Sequence, residues 1–60
     1  MTVIFTISKG EKGYNVKTTD REYKKYNEYE IKAVDMYKRL SELTEHFNND
    51  LDLAILFEID

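Results

Sequence analysis

The sequence predicts an α+β fold in which one helix packs on one face of a small, mixed, four-stranded sheet. Residues 2–8 and 14–19 alternate in polarity on either side of a glycine-containing turn, and residues 51–59 form the most apolar segment of the chain. Between them, apolar residues recur in steps of three and four from position 36. Alternation has the period of a strand and the longer steps have that of a helix, so the predicted order is βββαβ once a strand near 27–33 is included.

The first two strands are predicted to form a hairpin. Residues 2–8 are almost all β-branched or aromatic, which favours a strand, and Val3, Phe5 and Ile7 are predicted to share one of its faces. Gly10 and Gly13 mark the connection, since glycine readily adopts the positive φ that tight turns require. Residues 14–19 alternate again and predict the returning strand.

Residues 20–33 allow two interpretations. A helix from 20 to 48 would begin near a capping box and give a ββαβ fold, but it would be about 42 Å long and overhang a short sheet. Alternatively, residues near 27–33 alternate between polar and apolar, which places Tyr29 and Ile31 on one face of a third strand. We prefer the third strand, because the long helix leaves Ile31 outside its apolar stripe, and ββαβ stays the alternative.

The helix and the last strand complete the fold. Asp35 is predicted to be the N-cap of a helix of about a dozen residues that ends at 48–50, and residues 51–59 form the last strand. A right-handed crossover makes this strand parallel to the first, in the spatial order 3-2-1-4. The predicted core consists of Val3, Phe5, Ile7, Val16, Tyr29, Ile31, Leu53, Ile55 and Phe57 from the sheet and the helix stripe of Met36, Tyr37, Leu40, Leu43 and Phe47.

The chain is short and contains no cysteine, proline or tryptophan in its 60 residues. We expect a single compact domain over 1–60, located in the cytoplasm, without disulfides or cysteine-based zinc sites. Its apolar segments are far shorter than the roughly 18 residues that cross a bilayer, and no signal peptide is recognisable. A chain of this size buries only about 60% of the surface that its unfolded form exposes, so self-association or a partner would add to its stability.

Charge is unevenly distributed along the chain. Nine Lys and Arg residues and twelve Asp and Glu residues give a net charge of −3. Residues 1–40 hold all nine basic and six acidic groups, whereas residues 41–60 hold six acidic groups and no basic one. The acidic end could attract a basic partner, or the two ends could meet in the fold and neutralise each other.

The sheet face that the helix leaves open and the edge of the last strand are the predicted binding surfaces. An apolar edge strand is normally covered or paired, because its free backbone groups recruit another chain. We therefore predict a small non-enzymatic protein-binding module, such as a regulator or inhibitor, whose partner is another protein or a second copy in a homodimer. The candidate residues are the apolar Ile4, Ala54 and Leu56 and the acidic Asp52 and Glu58.

A weak nucleic-acid-binding protein is the alternative, based on a segment in which basic and aromatic residues interleave. Basic groups contact phosphates, and tyrosine rings stack on unpaired bases. Asp20, Glu22 and Glu28 interrupt this segment, so we favour tyrosines that pack over the edge of the core. The candidate residues are Lys17, Arg21, Tyr23, Lys24, Lys25 and Tyr26.

The sequence offers little for catalysis. His46 is the single histidine, so any Ser-His-Asp triad would have to use it, and it lies near the predicted helix C-terminus. No group of His, Asp and Glu has the spacing of a metal site, and neither glycine precedes a helix as in a phosphate-binding loop. We expect no enzymatic activity, no metal and no cofactor.

Overall fold

The computed structural model describes residues 2–47 and 53–60. Its elements are β1 (Thr2–Lys9), β2 (Tyr14–Lys17), a 3₁₀ helix (Lys24–Tyr26), β3 (Glu28–Ile31), α1 (Ala33–Phe47) and β4 (Ala54–Ile59). The strands form one four-stranded sheet in the order β3-β2-β1-β4, which confirms the predicted fold. The alternative of one long helix from position 20 is wrong, because a short 3₁₀ turn and β3 occupy that segment.

β1 is a central strand of the sheet and has a neighbour on each side. It pairs antiparallel with β2 through the hairpin. It pairs parallel with β4, from Thr2 beside Ala54 to Ile7 beside Ile59. The backbone N–H of Asp60 continues this ladder by donating to the Ile7 carbonyl at 2.9 Å. Parallel neighbours need a crossover connection, and α1 belongs to it.

The core lies between α1 and the face of the sheet formed by alternate residues of β1. The Phe5 ring is fully buried, and its centroid is 6.5 Å from that of Phe47 and 6.2 Å from that of Phe57. Most of the predicted core is confirmed. The buried residues are Val3, Phe5, Val16, Ile31 and Phe47, and the half-buried residues packed on them are Ile7, Tyr23, Tyr26, Met36, Leu40, Leu43, Leu53, Ile55 and Phe57.

A β-bulge in β3 explains why Tyr29 is outside the core. The pairing of β3 with β2 shifts by one residue between Glu28 and Ile31, so Tyr29 and Glu30 together face a single residue of β2. Glu30 accommodates the extra residue with a φ of 55°, in the left-handed region. Tyr29 is 60% exposed, so the prediction that it shares the core face with Ile31 is wrong.

α1 begins earlier than predicted, at Ala33. Asp35 is therefore not its N-cap but lies in the first turn, where the partial positive charge of the helix N-terminus favours a carboxylate. Tyr37 follows Met36 by about 100° around the helix, and at 85% exposed it is not a core residue, contrary to prediction. The helix residues that pack on the core are Met36, Leu40, Leu43 and Phe47.

Several predicted strand boundaries differ from the structure. The second strand ends at Lys17 rather than at position 19, because the Thr18 N–H donates to Oδ1 of Asn27 at 2.8 Å instead of continuing the ladder. The third strand spans Glu28–Ile31 rather than 27–33, and β4 begins at Ala54. The predicted helix end at 48–50 and the predicted strand positions 51 and 52 lie outside the described residues.

Gly13 is needed for a close approach of two backbone segments. Neither Gly10 nor Gly13 has a positive φ, so the predicted reason for these glycines is wrong. A Cβ atom on Gly13 would collide with the backbone carbonyl of Ile31, because β3 passes directly beside the turn. At Gly10 it would meet the carboxylate of Glu30, which is the end of a flexible side chain.

Candidate functional site

The two outer strands of the sheet differ in how their free edges are protected. β3 is four residues long, contains the bulge and carries two glutamates. Short length, bulges and charges are the devices by which proteins prevent another strand from pairing with an edge. The β3 edge is therefore a poor place for a partner to add a strand.

Glu30 also ties the β3 edge to the β1–β2 turn. Its carboxylate accepts hydrogen bonds from the backbone N–H groups of Glu11 at 3.2 Å and Lys12 at 2.5 Å. Its own backbone N–H donates to Oδ1 of Asn15 at 3.0 Å. These bonds hold the bulge in place, and the last of them satisfies the backbone N–H of Glu30 within the bulge.

β4 is longer than β3, has no bulge and carries one charged residue, Glu58, instead of two. It is six residues long, pairs with β1 without interruption, and contains no lysine or proline. Because the Asp60 N–H points to β1 and amide groups alternate along a strand, the N–H groups of Ile55, Phe57 and Ile59 point to the outer edge. Among the described residues, no strand pairs with that edge.

The open face of the sheet brings the predicted apolar binding residues together. Ile4 and Leu56 are register partners in the parallel ladder and are 42% and 48% exposed. Ala54 and Glu58 are exposed on the same face, two residues to either side of Leu56. Asp52, the remaining candidate, lies outside the described residues. This face is a small apolar patch with an acidic side chain beside it.

On the other face, one flank of α1 is joined to β3 by an ion pair. Arg39 lies 3.6 Å from Glu28 of β3 and 3.7 Å from Glu42 on its own helix. His46, farther along the same flank, has its Nε2 atom 2.6 Å from the hydroxyl oxygen of Tyr26. The opposite flank of α1 is therefore the one on the β4 side.

That flank borders a groove of about 500 Å³. Tyr37 lies about 200° from Arg39 around the helix, which places it on this flank. Tyr37 was predicted to be a core residue, but it lines the groove instead. On β4, Ile55 and Phe57 are only half-buried and Ile59 is 86% exposed. The described residues that line the groove are Tyr37, Leu40, Ser41, Thr44 and Glu45.

The tyrosines of the basic segment pack on the core. Tyr23 and Tyr26 meet the Phe47 ring edge to face, with centroid distances of 5.0 and 5.3 Å. Tyr26 also bonds His46, a contact that sequence reasoning missed because the two residues are 20 positions apart and share no local pattern. The rings close the end of the core next to the C-terminus of α1.

The basic side chains of that segment remain exposed. Lys17, Arg21, Lys24 and Lys25 are all on the surface, and Lys25 lies over the Tyr26 ring with Nζ 5.4 Å from its centroid. Lys17 and Lys24 border a groove of about 480 Å³ on the open face. The other residues that line it are Ile4, Thr6, Thr18, Thr19 and Asn27.

The acidic groups around β4 have no ion-pair partner within the described part of the chain. Glu58 and Asp60 lie on β4 or directly after it, and Glu45 borders the groove beside α1. The recorded ion pairs join Arg39 to Glu28 and Glu42 instead. These three carboxylates are exposed and could pair with basic groups of a partner.

The described residues include no group of three His, Asp or Glu side chains that could hold a metal ion. No helix in the described ranges combines the length and apolarity needed to cross a membrane. No protein-family model, curated protein or solved structure matches the chain.

Proposed function

We propose that this protein is a non-enzymatic protein-binding module that accepts an extended segment of its partner as a fifth strand beside β4. The difference between the two sheet edges carries the proposal. β3 is short, bulged and held by the hydrogen bonds of Glu30, whereas β4 is regular and no described strand pairs with its outer edge. Strand addition to such an edge is a common mode of peptide recognition.

Backbone pairing alone would not hold the partner. Ordering one residue of an extended chain costs about 1–2 kcal/mol, whereas a backbone hydrogen bond contributes a net of only about 0.5–1.5 kcal/mol. Side-chain burial must supply the rest, at about 25 cal/mol for each Å² of apolar surface. Exposed Ile59 and Leu56 and the groove beside Tyr37 offer that surface on both sides of β4.

A module of this kind would act by occupying a segment of its partner, as a regulator or an inhibitor does. The proposal keeps the cytoplasmic location expected from the sequence. It also assigns no role in catalysis to His46, whose ring is engaged with Tyr26 and Phe47.

The test uses Ile59→Pro with Ile59→Ala as its matched control. Proline is tolerated in an edge strand where its missing N–H faces solvent, so Ile59→Pro removes one outward donor and leaves the ladder to β1 intact. Both variants remove the same exposed side chain. Circular dichroism would verify that both remain folded.

Binders would be selected from a displayed library of random linear peptides. We expect selected peptides to bind Ile59→Pro about tenfold more weakly than Ile59→Ala, since one unmade hydrogen bond costs about 1–3 kcal/mol. We also expect slower amide exchange at Ile55, Phe57 and Ile59 in the complex. Equal binding to both variants, unchanged exchange along β4, or no selected peptide at all would overturn the proposal.

Nucleic-acid binding is the second candidate, and one observation favours it. Lys17 and Lys24 border the same open groove, together with polar Thr6 and Asn27, so two ammonium groups could contact one phosphate backbone. Against it, the rings of Tyr23 and Tyr26 already pack on Phe47. This leaves charge contacts without the base stacking that single-strand binders use.

A further inference from the structure

We infer that the segment accepted by β4 is cationic, with apolar side chains at alternate positions that face the flank of α1 on which Tyr37 lies. This inference rests on the proposed function and names the chemical class of its partner. It combines three features of the β4 side: the partly exposed apolar side chains of β4, the exposed Tyr37 on α1, and acidic groups without an ion-pair partner among the described residues.

The apolar positions follow from the geometry of strand pairing. Side chains of an added strand alternate between the two faces, and those on the helix face lie about 5 Å from their neighbours on β4. There they would meet Ile55, Phe57 and Ile59, of which Ile59 is 86% exposed. Tyr37, exposed on the groove flank of α1, would cover them from above.

The positive charge follows from the acidic groups on both faces beside β4. Glu45 borders the groove, Glu58 lies on the open face and Asp60 follows β4, and none of them is paired with a basic group in the described ranges. The sequence from position 41 onwards contains six acidic residues and no basic one. Lysine or arginine side chains at the remaining positions of an added strand would point to the open face and reach the carboxylates of Glu58 and Asp60.

The same charges argue against a second copy of the chain as the occupant. Antiparallel pairing of two β4 strands would bring the Glu58 and Asp60 carboxylates of both copies to one seam, where like charges on neighbouring strands repel. No basic residue of β4 could compensate for them. A cationic segment of another protein matches the edge, whereas the edge does not match itself.

The experiment compares two synthetic peptides, one alternating valine with lysine and one alternating valine with glutamate. Fluorescence anisotropy would measure the affinity of each at about 50 mM and about 200 mM salt, because screening weakens charge contacts at the higher concentration. We expect the lysine peptide to bind at least about tenfold more tightly, with the difference reduced at the higher salt. Ile59→Pro should weaken its binding relative to Ile59→Ala.

Two pairs of variants would locate the contacts. Glu58→Gln with Asp60→Asn should weaken binding of the lysine peptide, whereas Glu22→Gln, at an exposed acidic residue outside β4, should not. Tyr37→Ala should also weaken it, and Tyr29→Ala, which removes another exposed tyrosine, should have no effect.

Other outcomes separate the inference from the proposed function. If both peptides, or library-selected peptides without basic residues, bind equally and remain sensitive to Ile59→Pro, the edge accepts a strand but the cationic class is wrong. A concentration-dependent dimer in sedimentation, abolished by Ile59→Pro or Leu56→Glu, would show that a second copy is the occupant and would overturn the inference. Binding of the lysine peptide that is insensitive to Ile59→Pro would overturn both proposals.

Discussion

The carboxylate of Glu30 accepts a hydrogen bond from the backbone N–H of Lys12, with 2.5 Å between oxygen and nitrogen. The two residues are 18 positions apart, and their contact joins the bulge in β3 to the turn between β1 and β2. The bulge in turn disrupts the free edge of β3. One carboxylate therefore helps to make β4 the open edge of the sheet.

Replacing Glu30 should separate the contribution of its hydrogen bonds from that of its backbone conformation. Glu30→Ala and Glu30→Gly both remove the carboxylate, but only glycine adopts a φ of 55° without steric cost. We expect Glu30→Ala to lower the free energy of unfolding by about 1–3 kcal/mol, and Glu30→Gly to be about 1 kcal/mol less damaging. Urea denaturation of both variants measures the difference, and equal losses would show that the backbone carries no strain there.

The two glycines of the turn should differ in their tolerance of alanine. Both have a negative φ, so the difference arises from space alone. Gly13→Ala would press on the backbone carbonyl of Ile31, whereas Gly10→Ala would press on a side chain that can move. We expect Gly13→Ala to cost about 1–3 kcal/mol in thermal or urea unfolding and Gly10→Ala clearly less. A larger loss at Gly10 would mean that the Glu30 carboxylate cannot yield.

The strand order was predictable from the sequence because it depends on patterns that each segment carries by itself. The hairpin, the amphipathic helix and the final apolar strand allow few arrangements once the crossover is right-handed. The bulge was not predictable, because the left-handed conformation of Glu30 depends on partners in a turn far away in the sequence. The same bulge moved Tyr29 out of the core, since one extra residue reverses the side of every preceding position in the strand.

The candidate site was only partly predictable. Ile4, Ala54 and Leu56 share a face because alternation along β1 and β4 determines it. The groove beside α1 was not foreseen, because Tyr37 fits the apolar stripe by hydrophobicity alone. The side of the helix on which Tyr37 lies depends on the contact of Arg39 with Glu28 on the opposite flank, which the sequence pattern does not contain.

Oligonucleotide binding should be weak or absent, and low salt gives the strictest test. Contacts between lysine and phosphate are strongest at about 50 mM salt. We expect no shift in fluorescence anisotropy of labelled single-stranded DNA or RNA under that condition, because Tyr23 and Tyr26 pack on Phe47. A shift that Lys17→Gln and Lys24→Gln remove, and that Lys38→Gln on the helix leaves unchanged, would instead support the second candidate.

Phe47 should be the most sensitive residue of α1. It is buried, and its ring contacts Phe5, Tyr23 and Tyr26, so it joins the helix both to the sheet and to the basic segment. Phe47→Ala would cost about 3–5 kcal/mol. A domain of this size has a free energy of unfolding of only about 3–9 kcal/mol, so the variant should be largely unfolded at 37 °C.

Phe47→Leu is the matched control for that variant, because it keeps most of the apolar volume and loses the aromatic contacts. We expect it to remain folded at a cost of about 1–2 kcal/mol, measured by circular dichroism during heating. Its tyrosine fluorescence should change, since Tyr23 and Tyr26 lose the ring on which they pack. If both variants were as stable as the unaltered protein and kept its tyrosine fluorescence, the basic segment could not depend on this ring for its position.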